Sequence, residues 1–252
     1  MKQDTASLKK FSTLYRKLRS KYKPEEPPER DPVTQLVVSF LQWESTRRSA
    51  ERAFTGIMAE MVDINELRVS HEREIIAIIG DSYPLAEERI ARMRESLNEI
   101  YLREHAVAMQ SIAAKGKKDQ RAYLETLPGI PVYVISSVML LAYGGHALPV
   151  DSKLVNLLAE EGVAFEDYDA VTTESLLLRQ IKAGDGYDAH LILQAWSDAS
   201  RRTSPKKLRA AEEAEVVAPA PIDAVTAAAA TTNKNRTRKK TTRSAARRAK
   251  KK

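Results

Sequence analysis

The residues of this chain best suited to chemistry lie between Leu124 and Asp151, in the stretch LETLPGIPVYVISSVMLLAYGGHALPVD. Pro128-Gly129-Ile130-Pro131 stands between two helical patterns. One is Asp119–Leu127, and the other is an apolar run from Val132 to Tyr143 closed by Gly144-Gly145. Proline sets φ and glycine admits positive φ, so Pro-Gly at this place marks a sharp reversal. The first amides of the second helix lack intrahelical partners and carry the positive end of its dipole. The turn is therefore a seat for a phosphate. After a short loop, Val150-Asp151 opens another helix. On pattern alone Asp151 reads as a helix N-cap, and Ser-x-Lys after it requires no chemistry.

This segment resembles the hairpin of the helix-hairpin-helix DNA glycosylase superfamily, the endonuclease III-like proteins. That hairpin reads Leu-Pro-Gly-Val/Ile-Gly, and a Val-Asp at a helix start follows about twenty residues later. Leu127-Pro128-Gly129-Ile130, Val150-Asp151 and their separation match it. Asp31 to Glu44, DPVTQLVVSFLQWE, is similar to the early core helix of the family. Asp188 to Ser200, DAHLILQAWSDAS, is similar to the last helix before its iron-sulfur loop. The resemblance spans roughly residues 31–203, and its specific part is the hairpin-to-aspartate segment.

The resemblance implies duplex DNA as the partner. It implies Asp151 as the carboxylate that stabilises positive charge on the sugar, or activates a nucleophile, while the bond to a flipped base breaks. A carboxylate suits an oxocarbenium-like transition state on electrostatic grounds. The amides at Gly129, Ile130 and Val132 would hold a phosphate. Gln42 would enter the space left by the flipped base, although a glutamine at a helix end is more often a solvated surface residue. Lys153 stands where many members have histidine and reads as a surface or phosphate-contacting lysine.

Two departures qualify the activity. Lyase-competent members use a hairpin lysine that forms a Schiff base with the sugar, which requires a nucleophilic amine. Tyr133 holds that place here, so a lyase step is excluded while base removal is not. Pro131 replaces the second hairpin glycine and takes away one N–H. It is either a first-turn residue of the next helix or a mark of weakened grip on phosphate. Phe40, Tyr143 and Trp196 read as core aromatics.

The elements that must position these residues are all helical. The chain has 252 residues, 43% of them apolar, enough for one medium domain or two small ones. It contains no cysteine, which removes disulfides, thiolate-held iron-sulfur clusters and Cys-based zinc sites. The four histidines are scattered, and no cofactor is expected. No apolar run reaches the length of a membrane span and no signal peptide is visible, so the expectation is a soluble intracellular protein, cytoplasmic and nucleoid-associated, or nuclear in a eukaryote.

The net charge of +7 is unevenly spread. Residues 1–30 hold nine basic and four acidic residues. Residues 31–204 hold 18 basic and 26 acidic. Residues 233–252 hold 11 Lys/Arg and no acid. The basic character thus sits at the two ends.

Residues 1–30 read as a basic amphipathic helix over 4–22, with Leu8, Phe11, Leu14, Tyr15 and Leu18 on one side, followed by a Pro-rich linker. That helix either packs on the domain or contacts DNA or another partner. Residues 31–203 read as the helical domain. Asp31-Pro32 caps the first helix, Thr46–Met61 is the second, and Asp63-x-x-Glu66 is a capping box. Ser70 is expected to cap a helix ended by Gly80. Pro84 is expected to start one long helix to about Ala114, and Thr172 or Thr173 to cap a helix running to Ala183. Residues 204–252 are low-complexity linker and basic tail, too poor in large apolar groups to order alone. Its Arg236, Arg238, Lys239, Lys240, Arg243, Arg247 and Arg248 are DNA-contact candidates.

The expected fold is all-α and two-lobed. The first functional expectation is a DNA-binding repair protein acting as a monofunctional base glycosylase without β-lyase activity. The second is a catalytically inactive, chromatin-associated scaffold that binds DNA through its basic tail.

Overall fold

In the computed structural model, residues 2–164 and 167–200 are described. They form twelve α-helices and one 3-10 turn, with no strand among them. In chain order these are α1 (Lys2–Lys21), α2 (Pro32–Gln42), α3 (Arg47–Glu60), α4 (Ile64–Val69), α5 (Glu72–Ile79), α6 (Ala86–Glu104), α7 (Gln110–Ala113), α8 (Lys117–Glu125), α9 (Val132–Leu141), α10 (Ser152–Glu160), α11 (Ala170–Leu178) and α12 (Gly186–Ala199).

Local chemistry starts α2 sharply. The Asp31 carboxylate accepts from the Val33 and Thr34 amides at 3.0 and 3.1 Å, and Pro32 takes the first helical position, where an N–H has no partner to lose. From Leu36 to Gln42 α2 shows no exposed side, and α9 is buried throughout from Val132 to Leu140. A helix apolar all round has to be interior. These two pack against each other, and where they cross, the Ser39 and Ser137 hydroxyls meet at 2.8 Å. Small residues at that point let the helices approach while their hydroxyls stay satisfied.

The apolar residues divide into two cores. The first collects Val33 through Ala147, with Trp43, Phe40, Met93, Ile100, Leu124 and Val138 among its fully buried members. The second is built from α1 together with residues 148–193: Phe11, Leu14 and Leu18 pack with Leu148, Leu154, Leu158, Leu177 and Leu193. The chain therefore begins in the second core, passes through the first, and returns. A buried carboxylate ties the return. Glu174 on α11 accepts from the Leu148 amide at 3.0 Å and from the Ser136 hydroxyl of α9 at 2.8 Å.

Three expected boundaries are corrected. The long helix from Pro84 to Ala114 is broken, because His105 adopts φ 56° after α6. Leu102 at that end is 66% exposed, and the reversal brings Met109 and Ile112 into the first core instead. Ser70 closes α4 rather than opening the next helix. Its hydroxyl donates to the Glu66 carbonyl, and His71 is the cap of α5. Asp169, not Thr172 or Thr173, caps α11, its carboxylate accepting from the Thr172 amide at 2.7 Å. No described helix is long and apolar enough to cross a membrane.

Candidate functional site

The hairpin joins α8 to α9. Gly129 has φ +69°, and a Cβ there would lie 3.0 Å from Glu95 Oε2 and 3.3 Å from the Arg92 Cα. Conformation and space therefore both favour glycine here. The Ser96 hydroxyl donates to the Pro128 carbonyl at 2.9 Å, pinning the turn to α6. Pro131 is not inside the helix. It precedes α9 as its N-cap, and its carbonyl accepts from Val134 and Ile135 at 2.9 and 3.1 Å. The amides of Gly129, Ile130 and Val132 have no hydrogen-bond partner among the described residues. Ile130 and Val132 themselves bury their side chains.

Asp151 caps α10. Its Oδ1 accepts from the Leu154 amide at 2.8 Å, and the residue is 5% exposed. Burial raises its pKa to about 6. The Leu154 hydrogen bond and the Lys153 charge oppose that rise, and the charge of Asp198 adds to it. Glu44, which follows α2, takes the first residue of the same helix. Its two oxygens accept from Ser152 N at 2.8 Å and Ser152 Oγ at 2.7 Å. Glu44 has φ +52°, a left-handed conformation uncommon for a residue with a side chain. Its carboxylate thus joins the end of an element in the first core to the start of one in the second.

Tyr133, the second residue of α9, is 2% exposed and its hydroxyl lies 3.4 Å from Gln194 Oε1. Gln194 in turn donates to Asp198 Oδ1 at 2.8 Å, and Asp198 Oδ2 accepts from the Arg47 amide at 3.1 Å, at the start of α3. Burial, together with the charges of Asp151, Asp198 and Glu44, holds the Tyr133 hydroxyl far above its ordinary pKa. It is a neutral phenol at any working pH.

Beneath this cluster lies a fully buried cation. The Arg89 guanidinium donates to the Phe40 carbonyl and, at 3.1 and 2.9 Å, to the Pro84 carbonyl. It also stacks near Trp43 and Tyr83 at 5.7 and 5.1 Å. Burial lowers its pKa to about 10, which leaves it charged at neutral pH. The Tyr83 hydroxyl donates to the Leu41 carbonyl at 2.7 Å. Together Arg89 and Tyr83 satisfy the carbonyls that α2 loses when the chain turns left-handed at Glu44.

The structure thus brings Asp151 and Tyr133 together and adds Glu44, Gln194, Asp198 and Arg89, none of which the sequence reading singled out. One signal was available: Arg89 stands on the apolar face of α6 that carries Ile90, Met93 and Leu97. Gln42 is 8% exposed and is not a solvated helix end. Glu44, two residues further, is the member of that segment that reaches the Asp151 helix. Lys153 is half-buried, and its charge acts on both Asp151 and Asp198. Phe40 and Tyr143 are buried in the first core and Trp196 packs against the second. Among the described residues no group of three His, Asp or Glu is placed to hold a metal ion. The basic residues Arg236, Arg238, Lys239, Lys240, Arg243, Arg247 and Arg248 lie outside the described residues.

No protein-family model and no curated protein matches the chain. Solved structures do. An endonuclease III bound non-covalently to DNA aligns over 79% of this chain and 90% of its own, at 13% identity and a TM-score of 0.61. A thermostable thymine-DNA glycosylase aligns over 82% and 91%, at 18% identity and a TM-score of 0.54. A 3-methyladenine DNA glycosylase from H. pylori aligns over 78% and 99%, at 12% identity and a TM-score of 0.58. The chain has the all-α fold of the helix-hairpin-helix DNA glycosylases.

Proposed function

We propose that this protein binds duplex DNA and removes a base by hydrolysis of the N-glycosidic bond, with no lyase step. One observation carries the reading: within this fold, a buried carboxylate with a raised pKa, Asp151, lies close enough for its charge to act on Tyr133, in the first turn of the helix after the hairpin. In this reaction water adds to the sugar carbon and the base departs with a proton. Positive charge develops on the sugar before water arrives, and an ionised Asp151 would stabilise it. The N-cap hydrogen bond holds that carboxylate in place. Tyr133 offers no amine, so no covalent sugar intermediate forms and the backbone stays intact. The amides of Gly129, Ile130 and Val132 would seat a phosphate, with Lys153 as a nearby cation. Gln42, being buried, would reach a vacated base position only after a rearrangement of the α2 end.

A set of duplexes, each carrying one lesion or mismatch, incubated with the protein and then cleaved by alkali, tests the reading. Strand breaks at one lesion are expected, and only after alkali. The second reading is a DNA-binding scaffold without chemistry. The acidic company of Asp151 favours it, since Glu44 and Asp198 give the surroundings of the carboxylate a sign that opposes phosphate. Binding without excision of any lesion in the set would select it.

A further inference from the structure

The burial of α1 determines which way its charges point. Phe11, Leu14 and Leu18 are in the second core, and Tyr15 stacks on Phe11 at a centroid distance of 5.7 Å. Outside that buried stripe the helix carries Lys9 and Arg16 opposite the core and Lys10, Lys17, Arg19 and Lys21 on its flanks, all exposed, with Lys23 just past the helix end. None of these cations makes an ion pair among the described residues. From residue 6 to residue 23 there is no acid. Lys9 and Arg16 lie seven residues apart on one line of the helix, and Lys10, Lys17 and Lys21 form the adjacent line. The track from Lys9 to Lys21 is about 18 Å long. It sits on a domain that is otherwise net negative.

A basic amphipathic helix usually lies on a membrane surface or enters an apolar groove on a partner. Both uses need the apolar face, and here that face is core. What remains is a row of cations held on a rigid element, which complements an extended row of anions. Duplex DNA presents one charge per about 1.7 Å of its axis.

The track is separated from the site. Lys10 Nζ lies 2.8 Å from where a Cβ on Gly162 would stand, at the C-terminal end of α10. Asp151 caps the other end of that helix, about 13 Å away along its nine residues. We propose that the exposed face of α1 is a second DNA contact, a lysine and arginine track that grips the sugar-phosphate backbone away from the base under attack. The inference rests on the duplex-binding reading above.

The test compares two double variants of the full chain, Lys9→Gln with Lys17→Gln and Arg48→Gln with Arg73→Gln. All four side chains are exposed, and both variants remove the same charge. Binding to an undamaged duplex is followed by fluorescence anisotropy across a salt series. For the α1 variant, the slope of log K against log salt should become shallower by about 1 to 2 units, since each phosphate contact contributes about 0.9. Its circular dichroism and thermal midpoint should match the wild type. The Arg48 and Arg73 variant should keep the wild-type slope. An unchanged slope in the α1 variant, or an equal change in both, overturns the inference while leaving the functional reading standing. A wild-type protein that fails to bind duplex at all overturns the functional reading, and this inference with it.

Discussion

Asp151 carries a cost that its chemistry would justify. Its pKa is about 6 in the folded protein, against about 3.9 in an unfolded chain. The folded state therefore binds more protons between those values, and stability falls as pH rises through that window. At neutral pH the buried charge costs about 3 kcal/mol by the same arithmetic. Asparagine keeps the cap and has no charge to bury. Asp151→Asn should therefore raise stability by about 1–3 kcal/mol at pH 7.5 and by little at pH 4, while excision falls by at least about 10²-fold. Urea unfolding at the two pH values, with an excision assay, checks both parts. Equal stability changes at both pH values would show that the carboxylate is not held as described. Tyr133 leads to a simpler expectation. Borohydride treatment on an abasic duplex should trap no covalent complex, and an adduct mapped to Lys153 would give that amine the role Tyr133 lacks.

The hairpin is the element on which the site depends, and Gly129 is where it is least forgiving. Alanine would have to adopt φ near +69° with its methyl group against Glu95 and the Arg92 backbone. Gly129→Ala should cost about 1–3 kcal/mol, measured by denaturant midpoint, and should weaken duplex binding if the turn seats a phosphate. A variant as stable as wild type would mean that the turn yields easily. This element was legible beforehand because its signals are local: a Pro-Gly reversal, a strongly apolar run and a capping aspartate. Of the two buried central helices, α9 was legible for the same reason, while α2 was placed by its Asp-Pro start and by the resemblance, and its burial on every side was not. The break at His105 was not, because a left-handed residue that is neither glycine nor asparagine leaves no mark in composition. The site was legible only in part. Asp151 and Tyr133 stand in one segment, but Glu44 reaches Ser152, beside Asp151, from 107 residues before Asp151, and the charge of Asp198 acts on Asp151 from 47 after. Only the return of the chain from the first core to the second brings them together.

At the scale of the whole molecule, charge and chemistry are kept apart. Residues 31–204 carry a net −8 and hold the candidate site, while residues 233–252 carry 11 Lys/Arg and no acid. A domain of that sign repels the duplex it would have to grip, so under the proposed reading the non-specific affinity is assigned to the cations outside it. Each phosphate neutralised by Lys or Arg releases condensed counterions, and the logarithm of affinity falls with the logarithm of salt at about −0.9 per contact. Removing residues 233–252 should weaken binding to undamaged duplex at low salt and flatten the slope by several units. Preference for a damaged over an intact duplex should survive the truncation, because contacts to phosphate position a protein without reading base edges. The α1 track adds to the same slope from a different surface, so its double variant should flatten the slope of the truncated protein as much as that of the full chain. Salt titrations of the four proteins on one duplex measure all of this together. Equal slopes for the full-length and truncated chains would return the DNA-binding surface to the folded domain and α1. A truncated protein that loses its preference for the damaged duplex would mean that the last twenty residues do more than hold phosphate.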